Sequence, residues 1–282
     1  MRPETDAWLV ALPSELRAQR DALRRLVEAA ESDDRIRLVV VGCSIGRGVG
    51  DALSDIDAYL GVAAASWPNF LTDVPLLAET LGHVLDLRSE IFEAPAGTTR
   101  PYQHTFVQFR DGLQLDLVVA PAAPRAPGHD WVVLHDPDHL IGGEPIPGTA
   151  TPDQVTGWMF NAFVRLSACA KYLNRGSLWE AAEMLHAART DLWRLWATAR
   201  SITDPQYGLA AVSDAAPVEL PDGIEQTIAP LERAALSAAA LACADLLLGV
   251  WPTAISAAGL PSAAAPAFAT YVRAQLAARH QS

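Results

Sequence analysis

Hydrophobic residues in the first half of the chain recur at both helical and strand spacing. Leu16, Leu23, Leu26 and Val27 fall near a 3.6-residue repeat, which predicts an amphipathic helix over residues 14 to 31. Short β-branched or alternating runs predict strands, and one longer apolar run predicts a helix. These strands are Ile36–Val41, Ile56–Val62 and Val84–Phe92, and the helix covers residues 68 to 81.

A turn sequence marks a second group of strands. Asp111 and Gly112 separate two alternating runs, residues 105 to 110 and 113 to 120. Because both turn residues tolerate positive φ, Asp-Gly between such runs predicts a β-hairpin. Residues 131 to 135 form another short apolar run, which predicts one further strand.

The second half of the chain reads as helical throughout. Thr151, Pro152 and Gln154 form a capping-box pattern with proline at the first helical position, so a helix is expected from 151 to 174. A second capping-box pattern at Ser177 predicts a helix to about residue 200. Apolar segments at 226 to 250 and 262 to 279 predict two more helices.

These elements predict an α+β fold in two domains. The Pro- and Gly-rich stretch at residues 142 to 148 (GGEPIPG) is typical of a linker. We therefore expect a first domain at 1–148, with a small mixed sheet flanked by helices. An all-helical bundle is expected at 149–282.

The negative net charge of the chain argues against one class of binding partner, nucleic acids. The net charge is −12, and residues 1 to 150 carry 12 Arg against 22 Asp and Glu. A protein that grips a nucleic-acid backbone needs a basic stripe, and the sequence shows none. A chain with this much negative charge favours a cationic small molecule or a metal ion as its partner. The need for solubility alone also explains the charge.

Three scattered cysteines and the character of the N-terminus predict a cytoplasmic protein. Cys43, Cys169 and Cys243 have no metal or redox spacing, which suits a reducing compartment. Charged residues precede any apolar run at the N-terminus, unlike a signal peptide. The alanine-rich stretch at 234 to 250 falls short of a bilayer span and predicts a packed helix, so no membrane partner is expected.

Two carboxylates at the start of the second strand are the first candidate for chemistry. Asp55 and Asp57 are two residues apart, and residues i and i+2 share one face of a strand. Side by side they would repel and raise each other's pKa, and a divalent cation would remove that repulsion. Mg²⁺ is a hard ion that favours such oxygens.

The loop before this pair offers the complementary groups for an anion. Four glycines at positions 42, 46, 48 and 50 allow close approach of the backbone, whose N–H groups can donate to a phosphate. Ser44 adds a hydroxyl and Arg47 a cation. An Asp-x-Asp pair alone is weak evidence, because Asp136-Pro137-Asp138 has the same spacing in what reads as a turn.

These residues resemble a known family. Residues 42 to 48 (GCSIGRG), followed by 54 to 57 (SDID), are similar to the signature of the DNA polymerase β-like nucleotidyltransferase superfamily. The likeness is nearest to the branch that adenylylates small molecules, including aminoglycoside and lincosamide antibiotics. That family carries a third carboxylate on a nearby strand, and Asp116 matches it. Cys43 departs from the pattern, since it replaces the usual glycine and its Cβ would alter the backbone approach to a triphosphate.

The resemblance implies a set of roles. Asp55, Asp57 and Asp116 would be catalytic and would hold Mg²⁺, with two ions when nucleotide is bound. Gly42, Ser44 and Arg47 would bind the nucleotide, with ATP as the donor.

Lys171, the only lysine of the chain, is a further candidate for the nucleotide site. It falls on a partly apolar face of the predicted helix and could reach a triphosphate. The alternative is a lysine that extends from near a helix C-terminus, where a cation is favourable anyway. The sequence leaves both interpretations open.

The implied activity is transfer of AMP from ATP to a hydroxyl of a small molecule, with release of pyrophosphate. The acceptor would be a small hydroxyl-bearing compound such as an aminoglycoside- or lincosamide-like antibiotic, and the negative charge of the chain favours a cationic one. Such an activity would make the protein a resistance enzyme. Two alternatives remain. One is a protein-directed AMP transferase or antitoxin-type member, and the other is a catalytically silent nucleotide-binding module.

Overall fold

Strand-forming and purely helical segments separate into two units, each with its own hydrophobic core. The computed structural model describes residues 2 to 93, 100 to 146, 148 to 215, 217, 219 to 261 and 264 to 280. The units are Met1–Ile146 and Pro147–Ser282.

A six-stranded mixed sheet forms the centre of the described part of the first unit. Its strand order is β3-β4-β5-β2-β1-β6; β2 and β5 pair in parallel, and the other neighbours pair antiparallel. The strands are β1 Ile36–Val41, β2 Ile56–Val62, β3 Val84–Phe92, β4 Tyr102–Phe109, β5 Gln114–Pro121 and β6 Val132–His135. The helices are α1 Pro3–Ala11, α2 Arg17–Ser32, α3 Cys43–Gly46, α4 Trp67–Phe70 and α5 Val74–Leu81.

One face of this sheet is apolar and carries the core. Along β2, Ile56, Ala58 and Leu60 are buried, while Asp57 and Tyr59 alternate with them on the other face. Helix α2 presents a buried stripe to the same core, as its periodicity predicts, and burying each such leucine contributes about 1.5–3 kcal/mol. The sheet therefore has one face packed on this core, while the other face carries Asp57 and Tyr59 on β2 and buries Leu38 and Val40 of β1.

The second unit is helical in its described residues. Together with the mixed sheet of the first unit, this confirms the predicted α+β class. They are α6 Pro152–Arg175, α7 Leu178–Ala199, α8 Leu209–Asp214, α9 Arg233–Ala257 and α10 Ala267–His280. The predicted capping box at Thr151 forms, because its hydroxyl accepts the Gln154 N–H and the Gln154 side chain accepts the Thr151 N–H. Helix α6 ends at Gly176, which adopts the left-handed conformation.

Several predicted elements differ from the structure for identifiable reasons. The helix expected over residues 68 to 81 is two helices, because Pro75 lacks an N–H and its ring would clash with the carbonyl of Leu71 in a continuous helix. Ser177 makes no side-chain cap, so the second capping box does not form. The helix expected at 226 to 250 begins only at Arg233, after Pro230, and the last helix begins after Pro266; residues 262 and 263 of that prediction lie outside the described residues. Helices α1 and α8 were not predicted.

Helix α9 is long and apolar enough to cross a bilayer by length and composition. Its most apolar 18-residue window has a mean hydropathy of 1.8, and half of that window is buried in the second unit. The helix packs against α6, α7 and α10, with Leu247 and Cys243 fully buried. Its position in the bundle accounts for its composition, and the cytoplasmic location stays a prediction.

Candidate active site

The sheet topology brings three carboxylates together. Asp57 of β2 pairs directly with Asp116 of β5 in the parallel ladder, so both side chains leave the same face of the sheet. Asp55 lies just before β2, two residues from Asp57 and on the same side. One oxygen from each carboxylate lies within 4.8 Å of the others. A single hard cation could contact all three.

The electrostatics of this cluster favour a bound cation. Burial raises the pKa of Asp57 to about 6, and repulsion by Asp55, Asp116 and Asp130 adds to the rise. In the described part of the chain, no lysine or arginine forms an ion pair with the three acids of the cluster. Their oxygen-only donor set suits Mg²⁺, which would supply the missing positive charge. The residues therefore fit the predicted metal.

His104 is a member of the site that sequence reasoning missed. Its Nε2 lies 2.8 Å from Oδ1 of Asp116. In the antiparallel pair β4–β5, His104 lies opposite Val118, two residues along from Asp116 on the same face. The predicted hairpin gives this register when its first strand is extended by one residue, from residue 105 back to residue 104. The histidine fixes the orientation of the third carboxylate.

The glycine-rich segment is a helical turn rather than an open loop. Residues 42 to 48 have seven backbone amides, and five of them donate within the protein. Gly42 donates to the carbonyl of Asp57, which ties the turn to β2. Three others close the helical turn, and the fifth binds Asp130. Among the described residues, the amides of Ser44 and Ile45 are the two of these seven without an acceptor, so they are the ones left to bind a phosphate.

Cys43 sits in a backbone conformation that favours glycine. Its φ is +52°, in the left-handed region where a Cβ is unfavourable. Its N–H donates to Oδ2 of Asp130 at 2.8 Å, and its thiol lies close enough to the carboxylate of Asp57 for each group to shift the pKa of the other. Burial and the charge of Asp57 raise the pKa of this thiol to about 12, so it stays protonated as a donor. The side chain that replaces glycine is thus part of the acidic cluster.

Asp130 holds the turn from the other side. Besides the amide of Cys43, its carboxylate contacts the guanidinium of Arg47 at 3.5 Å. Gly46 permits this arrangement, since a Cβ at that position would lie 2.1 Å from the Asp130 carbonyl oxygen. Nothing in the sequence pattern marks Asp130, which lies 87 residues from Cys43.

A stacked cation lies further along the same sheet face. Tyr59, two residues after Asp57, stacks with Trp131 at a centroid distance of 5.7 Å. The guanidinium of Arg125 lies 4.6 Å from the Tyr59 ring and 4.7 Å from the Trp131 ring. No carboxylate in the described residues pairs with Arg125, so its charge is positioned by aromatic rings and remains available.

The remaining predicted residues are placed as follows. Ser44 is half-buried in the turn, and its hydroxyl has no hydrogen-bond partner among the described residues. Lys171 belongs to the second unit, where it is exposed on α6 with its ammonium 4.8 Å from the Tyr172 ring. The pair Asp136 and Asp138 forms a turn, in which Asp136 accepts two backbone amides and Asp138 pairs with Arg37.

Comparison with known proteins gives limited information. No family model matches the chain, and no curated protein matches it. Among solved structures it is similar to an aminoglycoside 6-adenyltransferase from Bacillus subtilis, with 17% identity, 96% of this chain and 100% of that chain covered, and a TM-score of 0.42. At this level the likeness bears on neither the acceptor nor the chemistry, which have to be inferred from the site.

Proposed function

We propose that the protein is a Mg²⁺-dependent nucleotidyltransferase that moves AMP from ATP to a hydroxyl of a small molecule. The observation that carries the proposal is the convergence of Asp55, Asp57 and Asp116 beside a turn in which the Ser44 hydroxyl has no hydrogen-bond partner among the described residues. Uncompensated carboxylates next to an anion-binding turn are the arrangement that phosphoryl-type transfer requires.

The three carboxylates would hold the metal. When bound, Mg²⁺ supplies neutralisation of the charge on the transferring phosphate and on the leaving pyrophosphate. The chain itself supplies the remaining charge compensation. Arg47 pairs with Asp130 beside the turn, Arg125 lies over the Tyr59 ring on the sheet face that carries Asp57, and both would contact the polyphosphate.

The turn would orient the nucleotide. The Ser44 hydroxyl and the amides of Ser44 and Ile45 would donate to phosphate oxygens, since the other amides of residues 42 to 48 are engaged. Lys171 is a further candidate for the nucleotide on chemical grounds. Its role stays a proposal because its exposed side chain is equally that of an ordinary surface lysine.

The chemistry is an in-line displacement. The acceptor hydroxyl loses its proton to Asp116, whose carboxylate is held by His104. The acceptor oxygen then forms a bond to the α-phosphorus while the bond from that phosphorus to the bridging oxygen of pyrophosphate breaks. Exclusion of water from the site would favour transfer of AMP to the acceptor over hydrolysis of ATP.

The acceptor would be a compound that the acidic chain attracts. With a net charge of −12, the protein favours cationic over anionic small molecules at long range. An aminoglycoside fits this charge, and a lincosamide-like hydroxyl compound fits the chemistry. Resistance to such an antibiotic would follow if the adenylylated hydroxyl is one that its target contacts.

A pyrophosphate-release screen tests the proposal. ATP, GTP and CTP would be offered with Mg²⁺ against a panel of antibiotics and hydroxyl-bearing metabolites. We expect release with at least one acceptor, and loss of that release in Asp57→Asn. Asp138→Asn is the matched control, because it changes the same residue type in an Asp-x-Asp turn that binds Arg37.

The same screen separates the alternatives. Label from α-³²P-ATP that ends on protein rather than on a small molecule would favour the protein-directed activity. Calorimetric binding of Mg²⁺–ATP without pyrophosphate release from any acceptor would favour the silent module. Absence of nucleotide binding altogether would contradict the proposed function.

A further inference from the structure

The second unit contains a cavity that the proposed chemistry does not use. It has a volume of about 450 Å³, which is within the range of small-molecule sites. Its floor comes from apolar side chains of α7 and α9, among them Leu192, Trp196 and Val250. Pro221 closes one side, and the Trp196 Nε1 donates to the Glu219 carbonyl at 2.8 Å, which fastens this segment to α7.

An exposed glycine of α9 lines the cavity. Gly249 lies inside the helix and lines the cavity, and a Cβ built there would meet nothing within 4 Å. Glycine destabilises a helix interior relative to alanine, and here no neighbour requires the missing side chain. The position therefore lowers helix stability without improving the packing of the described residues, which is understandable if the space accommodates a ligand.

The charges around the cavity are unequal. Arg200 pairs with Glu219, and Asp245 pairs with Arg273, so these charges are compensated. Asp222 also lines the cavity, and it has no ion pair or hydrogen bond with any described residue. One exposed carboxylate at the edge of the cavity is thus left without a counter-ion among the described residues.

We propose that this cavity binds a small organic amine with an apolar body. The apolar part packs against Trp196, Leu192 and Val250, in the space beside Gly249. The ammonium group pairs with Asp222. The size of the cavity, its apolar floor and its single uncompensated carboxylate together select this class over anions and over fully polar compounds.

The test uses two probes with the same phenylethyl body: the cationic 2-phenylethylamine and the neutral 2-phenylethanol. Saturation-transfer NMR on the full chain would give the dissociation constant of each. We expect the amine to bind at least about fivefold more tightly than the alcohol, as one carboxylate–ammonium pair allows. Asp222→Asn should remove this difference and leave alcohol binding unchanged.

Filling the cavity is the second part of the test. Gly249→Leu should weaken amine binding at least about tenfold, and Gly249→Ala should weaken it less while raising the melting temperature. Gly157→Leu is the matched control, because Gly157 also lies inside a helix with nothing within 4 Å of a built Cβ but does not line the cavity. Circular dichroism would verify that each variant is folded.

Three results would overturn the proposal: no binding of the amine, equal binding of both probes, or unchanged binding in Gly249→Leu with Gly157→Leu. Because the readout is binding by a cavity within one unit, it does not depend on nucleotidyl transfer. Failure of the proposed enzyme activity would leave this result as it stands, and the reverse also holds.

Discussion

The two units each contain partly or fully buried carboxylates, but they compensate them differently. In the second unit, Asp191 is fully buried, and both of its oxygens are bound by the guanidinium groups of Arg165 and Arg194. In the first unit, three carboxylates share one place on the sheet with no arginine or lysine paired to them in the described residues. Burial acts against the charged form in both places, but only one place has its counter-charge built into the chain.

The difference distinguishes a carboxylate that stabilises the fold from carboxylates that form a binding site. A buried acid bound by two arginines is a satisfied internal interaction, and it needs nothing from solution. An acidic cluster that lacks cations is unfavourable until something positive arrives, which is the property of a binding site. Four measurements test whether the two kinds of carboxylate differ in this way.

The largest effect should come from the acidic cluster of the first unit. Asp57→Asn removes one of the three converging carboxylates, and we expect nucleotidyl transfer to fall about a thousandfold or more. The fold should persist, since an amide of similar shape replaces a carboxylate whose charge is disfavoured. Pyrophosphate release and circular dichroism would check both statements. A variant with the wild-type rate would show that the cluster is not catalytic.

For Asp191 we expect the opposite result: its substitution should reduce the stability of the fold. Asp191→Asn leaves Arg165 and Arg194 without their shared counter-charge, and we expect a loss of about 3–5 kcal/mol in the free energy of unfolding. Asp245→Asn, which breaks the exposed pair with Arg273, should cost less than about 1 kcal/mol. Urea unfolding of both variants measures the difference. Equal losses would mean that burial does not distinguish the two pairs.

The pH dependence of stability should reveal the uncompensated charge. The pKa of Asp57 is about 6 in the folded protein, above the ordinary value of 3.8, so the unfolded chain ionises first as pH rises. The stabilising contribution of this group is complete below about pH 4 and is lost by pH 6. After allowance for partial exposure, wild type should lose about 2 kcal/mol relative to Asp57→Asn between pH 4 and 7.

Urea unfolding with EDTA across this pH range makes that measurement. Addition of Mg²⁺ at pH 7 should restore stability to wild type and have little effect on the variant. A difference between the two proteins that does not change with pH would contradict the assignment of the raised pKa.

The smallest effect concerns the backbone beside the cluster. Cys43→Gly and Cys43→Ala both remove the thiol beside Asp57, but only glycine relieves the left-handed conformation at φ +52°. We expect the glycine variant to be more stable than the alanine variant by about 1 kcal/mol. Thermal unfolding of the pair gives this difference directly. The reverse order would mean that the turn changes its backbone conformation when the thiol is removed.

Much of the fold follows from local patterns. Strands β1, β2 and β3 have the predicted bounds, because β-branched runs and alternation mark a buried strand directly. Pro75 shows the limit of a periodic reading, since an apolar helical repeat continues across a residue that cannot continue the helix.

The site could be predicted only in part. Alternation along β2 placed Asp55 and Asp57 on one face, and the family resemblance added Asp116; the structure brings one oxygen of each carboxylate within 4.8 Å of the others. The contact of Asp130 with Cys43 joins residues 87 positions apart through a loop conformation that no periodicity encodes. His104 depended on the register of one hairpin, where a shift of a single residue would have turned its side chain to the other face.

The protonated thiol of Cys43 has a practical consequence for labelling. Cys169 and Cys243 also have pKa values raised to about 12 by burial, so none of the three native cysteines is a thiolate at neutral pH. Maleimide reagents react with the thiolate form, and the native chain should therefore be almost inert to them. A cysteine introduced on the surface could then carry a single fluorophore without removal of the native ones.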